Sequence, residues 1–186
     1  MLNKIIFKVI KSVVLFLKKI NLKKFLFDKL IFNIGLNQIL ENKKNYQNVT
    51  DISETELKIF SQNGEDGIID YLLHSLKIDK PKFVEIGIGD YSECNTRFLF
   101  ERTSPKGLVV DCVEDLKMKV SKNIKLWRAD ITILEEFISS KNINLILKKY
   151  GFDKNIDLFS LDVDGIDYWI LKELPRNFSK IAIIEF

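Results

Sequence analysis

The sequence predicts an α/β domain built on a parallel sheet and preceded by a basic helical arm. Three observations carry that expectation. From residue 82 onward, short β-branched and aliphatic runs alternate with stretches of helical periodicity. The first run, Phe83-Val-Glu-Ile-Gly-Ile-Gly-Asp-Tyr-Ser-Glu-Cys94, leads straight into a glycine-bearing turn and then a helical stretch. The later runs end in acids, at the place where such sheets hold ligands, outside the carboxyl ends of the strands.

At 186 residues the chain is long enough for one domain with a real core plus an appendage. Its 46% hydrophobic and 30% charged residues fit a soluble globular protein and exclude a disordered chain. Three prolines and eight glycines exclude a collagenous or linker-rich one. The net charge of +3 is unevenly spread: up to residue 30, eight lysines face one acid, Asp28, so this segment holds +7 and the remainder −4.

That basic segment opens the arm, residues 1–50, ahead of a domain over 51–186. Ile5, Ile6, Val9, Ile10, Val13, Val14 and Leu17 recur at three- and four-residue steps, which predicts an amphipathic helix. Lys11, Lys18 and Lys19 interrupt every apolar run before it reaches the ~20 residues a spanning helix needs. No small-residue cleavage site follows, which argues against a secretory signal. Two uses of the arm stay open. It lies on an anionic membrane, where each lysine near the surface contributes about 1 kcal/mol, or it packs on the domain or another subunit. Nucleic acid is not an expected partner, since exposed stacking aromatics are not evident. Asn42 to Ser53 is polar and reads as a linker, and a helix follows over Gly67 to Leu76.

Within the domain the expected strands are Lys82–Ile88, Gly107–Cys112, Ile124–Arg128, Asp157–Val163 and Ile181–Phe186. The expected helices lie near Glu93–Glu101, Asp115–Ser121, Leu134–Tyr150 and Tyr168–Leu174. Strands separated by helices require crossover connections and give a parallel sheet covered on both faces. The last run, Ile181-Ala-Ile-Ile-Glu-Phe186, leaves an apolar edge strand. It therefore reads as belonging to a fragment or truncated product, with an edge-covering oligomer as the alternative.

The chemistry concentrates at strand ends. Gly87 and Gly89 permit a sharp turn and leave no Cβ in a ligand's way. Glu85, inside an apolar run, requires a fixed partner. The dinucleotide fingerprint GxGxxG is broken at its third position by Ser92, which weighs against a nicotinamide or flavin cofactor. The second strand ends at Asp111, placed to accept hydrogen bonds from both ribose hydroxyls of an adenosine. The third is expected to end at Asp130, beside the adenine, and the fourth in Leu161-Asp-Val-Asp-Gly-Ile-Asp-Tyr-Trp169. Cys94 and Cys112 form no CxxC pair and read as buried, reduced thiols of a cytoplasmic protein. His74, the one histidine, lies on a helical stretch far from any nucleophile and reads as structural.

Phe60-Ser-Gln-Asn-Gly-Glu-Asp-Gly67, Val84 to Thr96 and Leu161 to Trp169, in that order over about residues 58–186, resemble the motifs of FkbM-like methyltransferases. These are class I S-adenosylmethionine-dependent enzymes of Rossmann-like fold, associated with O-methylation of glycans and natural products. The resemblance implies that Glu85, Gly87 and Gly89 form the first cofactor motif and Asp111 the ribose acid. Asp130 would be the adenine-side residue, with Gln62 and Glu65 facing the cofactor from the preceding helix. Asp162, Asp164 and Asp167 fall where the family places active-site acids. Class I enzymes ordinarily continue past the fifth strand with a helix and an antiparallel strand pair, and this sequence does not.

Asp162 and Asp164 fall on one side of a strand by the two-residue rule, and Asp164 and Asp167 can share a helical turn. Three carboxylates so close repel unless one is protonated or a cation lies among them. A general base acting on a sugar hydroxyl is one use. A Mg²⁺ site chelating acceptor hydroxyls, similar to macrocin-type sugar O-methyltransferases, is another. A third is plain helix capping by Asp164 and Asp167 around Gly165. Tyr168 and Trp169 read as core anchors. The expected activity is thus methyl transfer to a sugar or glycan hydroxyl, at the cytoplasmic membrane face. A truncated, non-catalytic membrane module and an NAD-binding oxidoreductase are the alternatives.

Overall fold

A computed structural model describes residues 2–128 and 130–185, with side chains from position 23 onward except at 128. The arm is one helix, α1 (Leu2–Lys43), and the side chains of the apolar stripe from Ile5 to Leu17 lie outside the described residues. The domain follows as α2 (Glu65–Ser75), β1 (Lys82–Ile86), α3 (Arg97–Thr103), β2 (Lys106–Asp111), α4 (Leu116–Asn123), β3 (Asp130–Glu135), α5 (Ile143–Lys149), β4 (Ile156–Leu161), α6 (Asp167–Glu173) and β5 (Ser179–Ile184). The five strands form one parallel sheet in the order β3-β2-β1-β4-β5, a Rossmann-like arrangement. Strand order reverses between β1 and β4, where the chain crosses from one half of the sheet to the other.

Alternation along the strands divides the core. Phe83, Val109 and Leu158 pack on one face with Leu99, Phe100 and Leu116. Val84, Ile86, Leu108, Val110 and Phe159 pack on the other, under α5 and α6. Both faces are buried, which explains the near-continuous apolar runs of β1, β2 and β4.

Two expected elements are corrected. Leu126–Arg128 is a short 3-10 turn, and the third strand is Asp130–Glu135. Ile124 is buried against the core at the end of α4, whereas the β-branched Ile131, Thr132 and Ile133 pair with Gly107, Leu108 and Val109. Asp130 therefore opens its strand opposite Lys106, at the amino end of the sheet, with its carboxylate 3.3 Å from the Lys106 ammonium. The helix expected from Leu134 starts only at Ile143. Asn142 closes the intervening loop, its Oδ1 accepting from the Ser139 amide and its Nδ2 donating to the Phe137 carbonyl. The Phe186 end of the last expected strand lies outside the described residues.

The stretch expected to be a linker is folded onto the domain. Tyr46 is buried and its hydroxyl donates to Asp70 at 2.9 Å, while Asp51 and Glu54 form a capping box. From Lys24 onward α1 itself contacts the domain. Ile39 is fully buried with Phe60 and Phe98, and Gly35 lies so close that a Cβ there would meet Ile59 at 2.2 Å. No helix among the described residues is long and apolar enough to cross a membrane.

Candidate cofactor cleft

The cleft begins with the turn after β1. Gly87 has φ +86, and a Cβ on it would fall 1.6 Å from the Asp162 carbonyl oxygen, so only glycine lets β1 and β4 lie this close. Gly89 also has positive φ, +54, but faces open space. Packing requires the first glycine, whereas only its positive φ favours glycine at the second.

Glu85 holds this turn in place. It is 4% exposed, and its Oε1 accepts from the Asn95 amide at 2.9 Å. Its Oε2 accepts from the Thr96 amide at 3.2 Å and the Thr96 hydroxyl at 2.5 Å. The Thr96 proton goes to the carboxylate, so the buried Tyr91 hydroxyl, 2.6 Å away, donates to Thr96. Burial pushes the Glu85 carboxyl above its ordinary value, and the hydrogen bonds from Thr96 and Asn95 pull against that shift. Its partner is thus the backbone leading into α3. Those amides, which in dinucleotide folds receive a pyrophosphate, are already occupied by a carboxylate.

Asp111 ends β2 half-buried beside Gly89. Its Oδ2 accepts from the Gly89 amide at 2.8 Å and its Oδ1 from the Val113 amide at 3.0 Å. Each oxygen keeps a lone pair for a further donor. Asp130, expected as the adenine-side residue, is at the opposite end of the sheet. Glu135 takes the β3 tip instead, paired with Asp111 and accepting from the Leu116 amide at 3.1 Å.

On the other side of Gly87, a cavity of about 250 Å³ opens between the carboxyl ends of β1, β4 and β5. Five carboxylates line it, from Glu65, Glu85, Glu93, Asp162 and Glu185, and no lysine, arginine or histidine does. Gln62, from the loop before α2, and Glu65, at the start of α2, reach it. Asp66 shapes that loop: its Oδ2 accepts from the amides of Ile59, Phe60 and Ser61 at 2.6–2.9 Å. Gly67 completes it, since a Cβ would meet the Thr55 carbonyl oxygen at 2.0 Å.

Of the three acids after β4, the cavity takes one. The Asp162 side chain hydrogen-bonds Glu185 across the tips of β4 and β5. Burial, that bond and the nearby charges of Glu185, Asp164 and Asp167 push its carboxyl up to about 6. Asp164 and Asp167 do not line the cavity. Asp164 is exposed in a left-handed turn at φ +42, and Asp167 begins α6 with its Oδ1 accepting from the Val163 amide at 2.9 Å. Asp167 ties the turn to the start of α6, whereas Asp164 does not cap it: the N-cap position is Ile166, with no side-chain cap hydrogen bond. Among the described residues no three ligating side chains group as a metal would require.

Four residues of the site went unread in the sequence. Glu135 and Glu185 carry a legible signal only once the register is known, and Glu93 lies in the turn before α3. By the two-residue alternation, Glu85, Asp111 and Glu135 lie on one face. Asp162 and Glu185 continue it, through backbone bonds to Ile86 and Leu161. The fourth is Arg97, buried in α3. Its guanidinium bonds Asp28 of α1 at 2.7 Å and the Ser92 carbonyl at 2.6 Å and stacks 3.8 Å from the Phe60 ring. It ties arm, loop and glycine turn together, and nothing in its sequence surroundings marks it out. Tyr168 and Trp169 are also corrected: they are exposed and stacked edge to face at 5.2 Å, not core anchors. Cys94 is buried but Cys112 is exposed.

Comparison of the chain with family models, curated proteins and solved structures found no match.

Proposed function

We propose that the chain is an S-adenosylmethionine-dependent methyltransferase that acts on a hydroxyl of a sugar or glycan. The observation that carries the cofactor half is the charge of the cavity on the Asp162 side of Gly87: five acidic residues and no basic one line it. Such a wall favours a ligand carrying a sulfonium and an ammonium and disfavours a pyrophosphate. Glu85 reinforces the choice by holding the Asn95 and Thr96 amides that a dinucleotide would need.

On this reading the ribose hydroxyls donate to the free lone pairs of Asp111, and the Gly87–Gly89 turn lets the ligand lie against the backbone. Glu65 and Glu93 face the cationic amino-acid end. The bound cofactor supplies an already activated methyl group, so the protein's work is alignment and removal of one proton. Asp162 is the group for that proton: it is raised to about 6, close to the range where a general base works at neutral pH. Glu185 stands beside it at the tip of β5.

The acceptor class rests on the resemblance of the three motifs to glycan O-methylating enzymes. The same reading places the enzyme in the cytoplasm, peripheral at the inner membrane face where lipid-linked glycans are assembled. The test is incubation of the full chain with methyl-labelled S-adenosylmethionine and a panel of sugars and glycans. Label in the carbohydrate fraction, lost in Asp162→Asn, supports the reading. Label in no acceptor, despite tight cofactor binding, contradicts the acceptor class.

A further inference from the structure

The two faces of α1 differ in the part whose side chains are described. One face, with Asp28, Phe32, Gly35 and Ile39, is against the domain. On the opposite face Leu26, Phe27, Leu30 and Ile34 stand 55%, 62%, 56% and 57% exposed. Their spacing of three, four and eight residues puts them on one stripe. Four large apolar side chains on one exposed stripe call for a covering surface.

Charge decides what covers it. Lys23 and Lys29 are exposed beside the stripe, within a 30-residue segment of eight lysines and one acid. That acid, Asp28, is spent on Arg97. A second copy laid along the stripe would set one lysine-rich segment against another, so like charges would oppose the apolar contact. An anionic lipid surface satisfies both features, taking the apolar side chains among its acyl chains and the ammonium groups among its headgroups.

We propose that the outer face of α1 around Leu26, Phe27, Leu30 and Ile34 docks in the plane of an anionic bilayer, while its inner face holds the domain through Asp28, Gly35 and Ile39. Helix and domain then attach to the membrane as one body, because Arg97 links Asp28 to the glycine turn. The inference is independent of the methyl-transfer reading, since membrane binding is measured without turnover.

The test is flotation of the full chain with phosphatidylcholine vesicles, with and without about one third phosphatidylglycerol. The chain is expected to float with the anionic vesicles and to lose at least roughly tenfold in affinity in Leu30→Glu/Ile34→Glu. Leu145→Glu, an exposed apolar position on α5 at 70% exposure, is the control and is expected to bind as the parent. Circular dichroism confirms that each variant is folded. Absence of anionic-vesicle binding overturns the proposal, as does equal binding by the double variant. A concentration-dependent dimer in sedimentation that the double variant abolishes would give the face to a second copy and overturn it too.

Discussion

Glu85 and Thr96 are joined twice, through the threonine amide and its hydroxyl, across eleven residues of chain. The pair closes the glycine turn on the strand that feeds it and leaves a buried carboxylate fully used by protein donors. Glu85→Gln keeps the shape but turns an amide NH₂ toward a donor. It is expected to lower stability by about 1–3 kcal/mol. Thr96→Val is expected to lower it by a similar amount, and the double variant by less than the sum, since both act on one network. Urea denaturation of the four proteins checks this.

The two glycines of the turn separate packing from binding. Gly87→Ala forces a methyl into the Asp162 carbonyl and is expected to cost about 3 kcal/mol or more, or to prevent folding. Gly89→Ala meets nothing within 4 Å and costs only about 1 kcal/mol for its positive φ. It is expected to fold yet to bind S-adenosylmethionine more weakly, because its methyl points into open space beside Asp111. Thermal melts with and without ligand distinguish the two.

Asp162 gives the cleft a pH dependence. Its carboxyl is raised from 3.8 to about 6, so the folded protein holds that proton more tightly than the unfolded chain. The contribution to stability is complete below 3.8 and is lost as pH rises through about 6. Affinity for a cationic ligand runs the other way, rising across the same window as Asp162 gains its charge. Asp162→Asn is expected to flatten both profiles, measured by chemical denaturation and calorimetry from pH 4.5 to 7.5.

The thiols test burial directly. Cys94 donates to the Ile88 carbonyl at 3.1 Å, and burial raises its thiol far above the ordinary range. Cys112 is exposed. One equivalent of a thiol reagent is expected to react with the native protein and two with the unfolded one, and Cys112→Ser removes the native equivalent. Two fast native equivalents would contradict the packing of the turn.

How far the sequence reveals this arrangement depends on whether a residue's role is local. Glu85, Gly87, Gly89 and Asp111 were legible because each follows from one strand and the turn at its end. Asp130 was misplaced because Ile124–Arg128 has a strand-like apolar spacing. Moving the strand to 130–135 sends Asp130 to the amino end and brings Glu135 to the tip. Asp164 and Asp167 resembled active-site acids, but Gly165 at φ +87 turns the chain away into α6. Glu185 faces Asp162 and Arg97 reaches Asp28, partners distant in sequence, so composition and spacing carry no trace of either pairing. The arm illustrates the same limit: its amphipathicity left two surfaces open, and the packing of Gly35 and Ile39 shows which face the domain takes.

Calorimetric titration of the full chain with S-adenosylmethionine and, separately, with NAD tests the central claim most directly. The charge of the cleft and the occupied α3 amides lead us to expect a saturable heat with S-adenosylmethionine, strongly reduced in Asp111→Ala, and none with NAD. Binding of NAD without S-adenosylmethionine, or affinity unchanged by Asp111→Ala, would contradict the account.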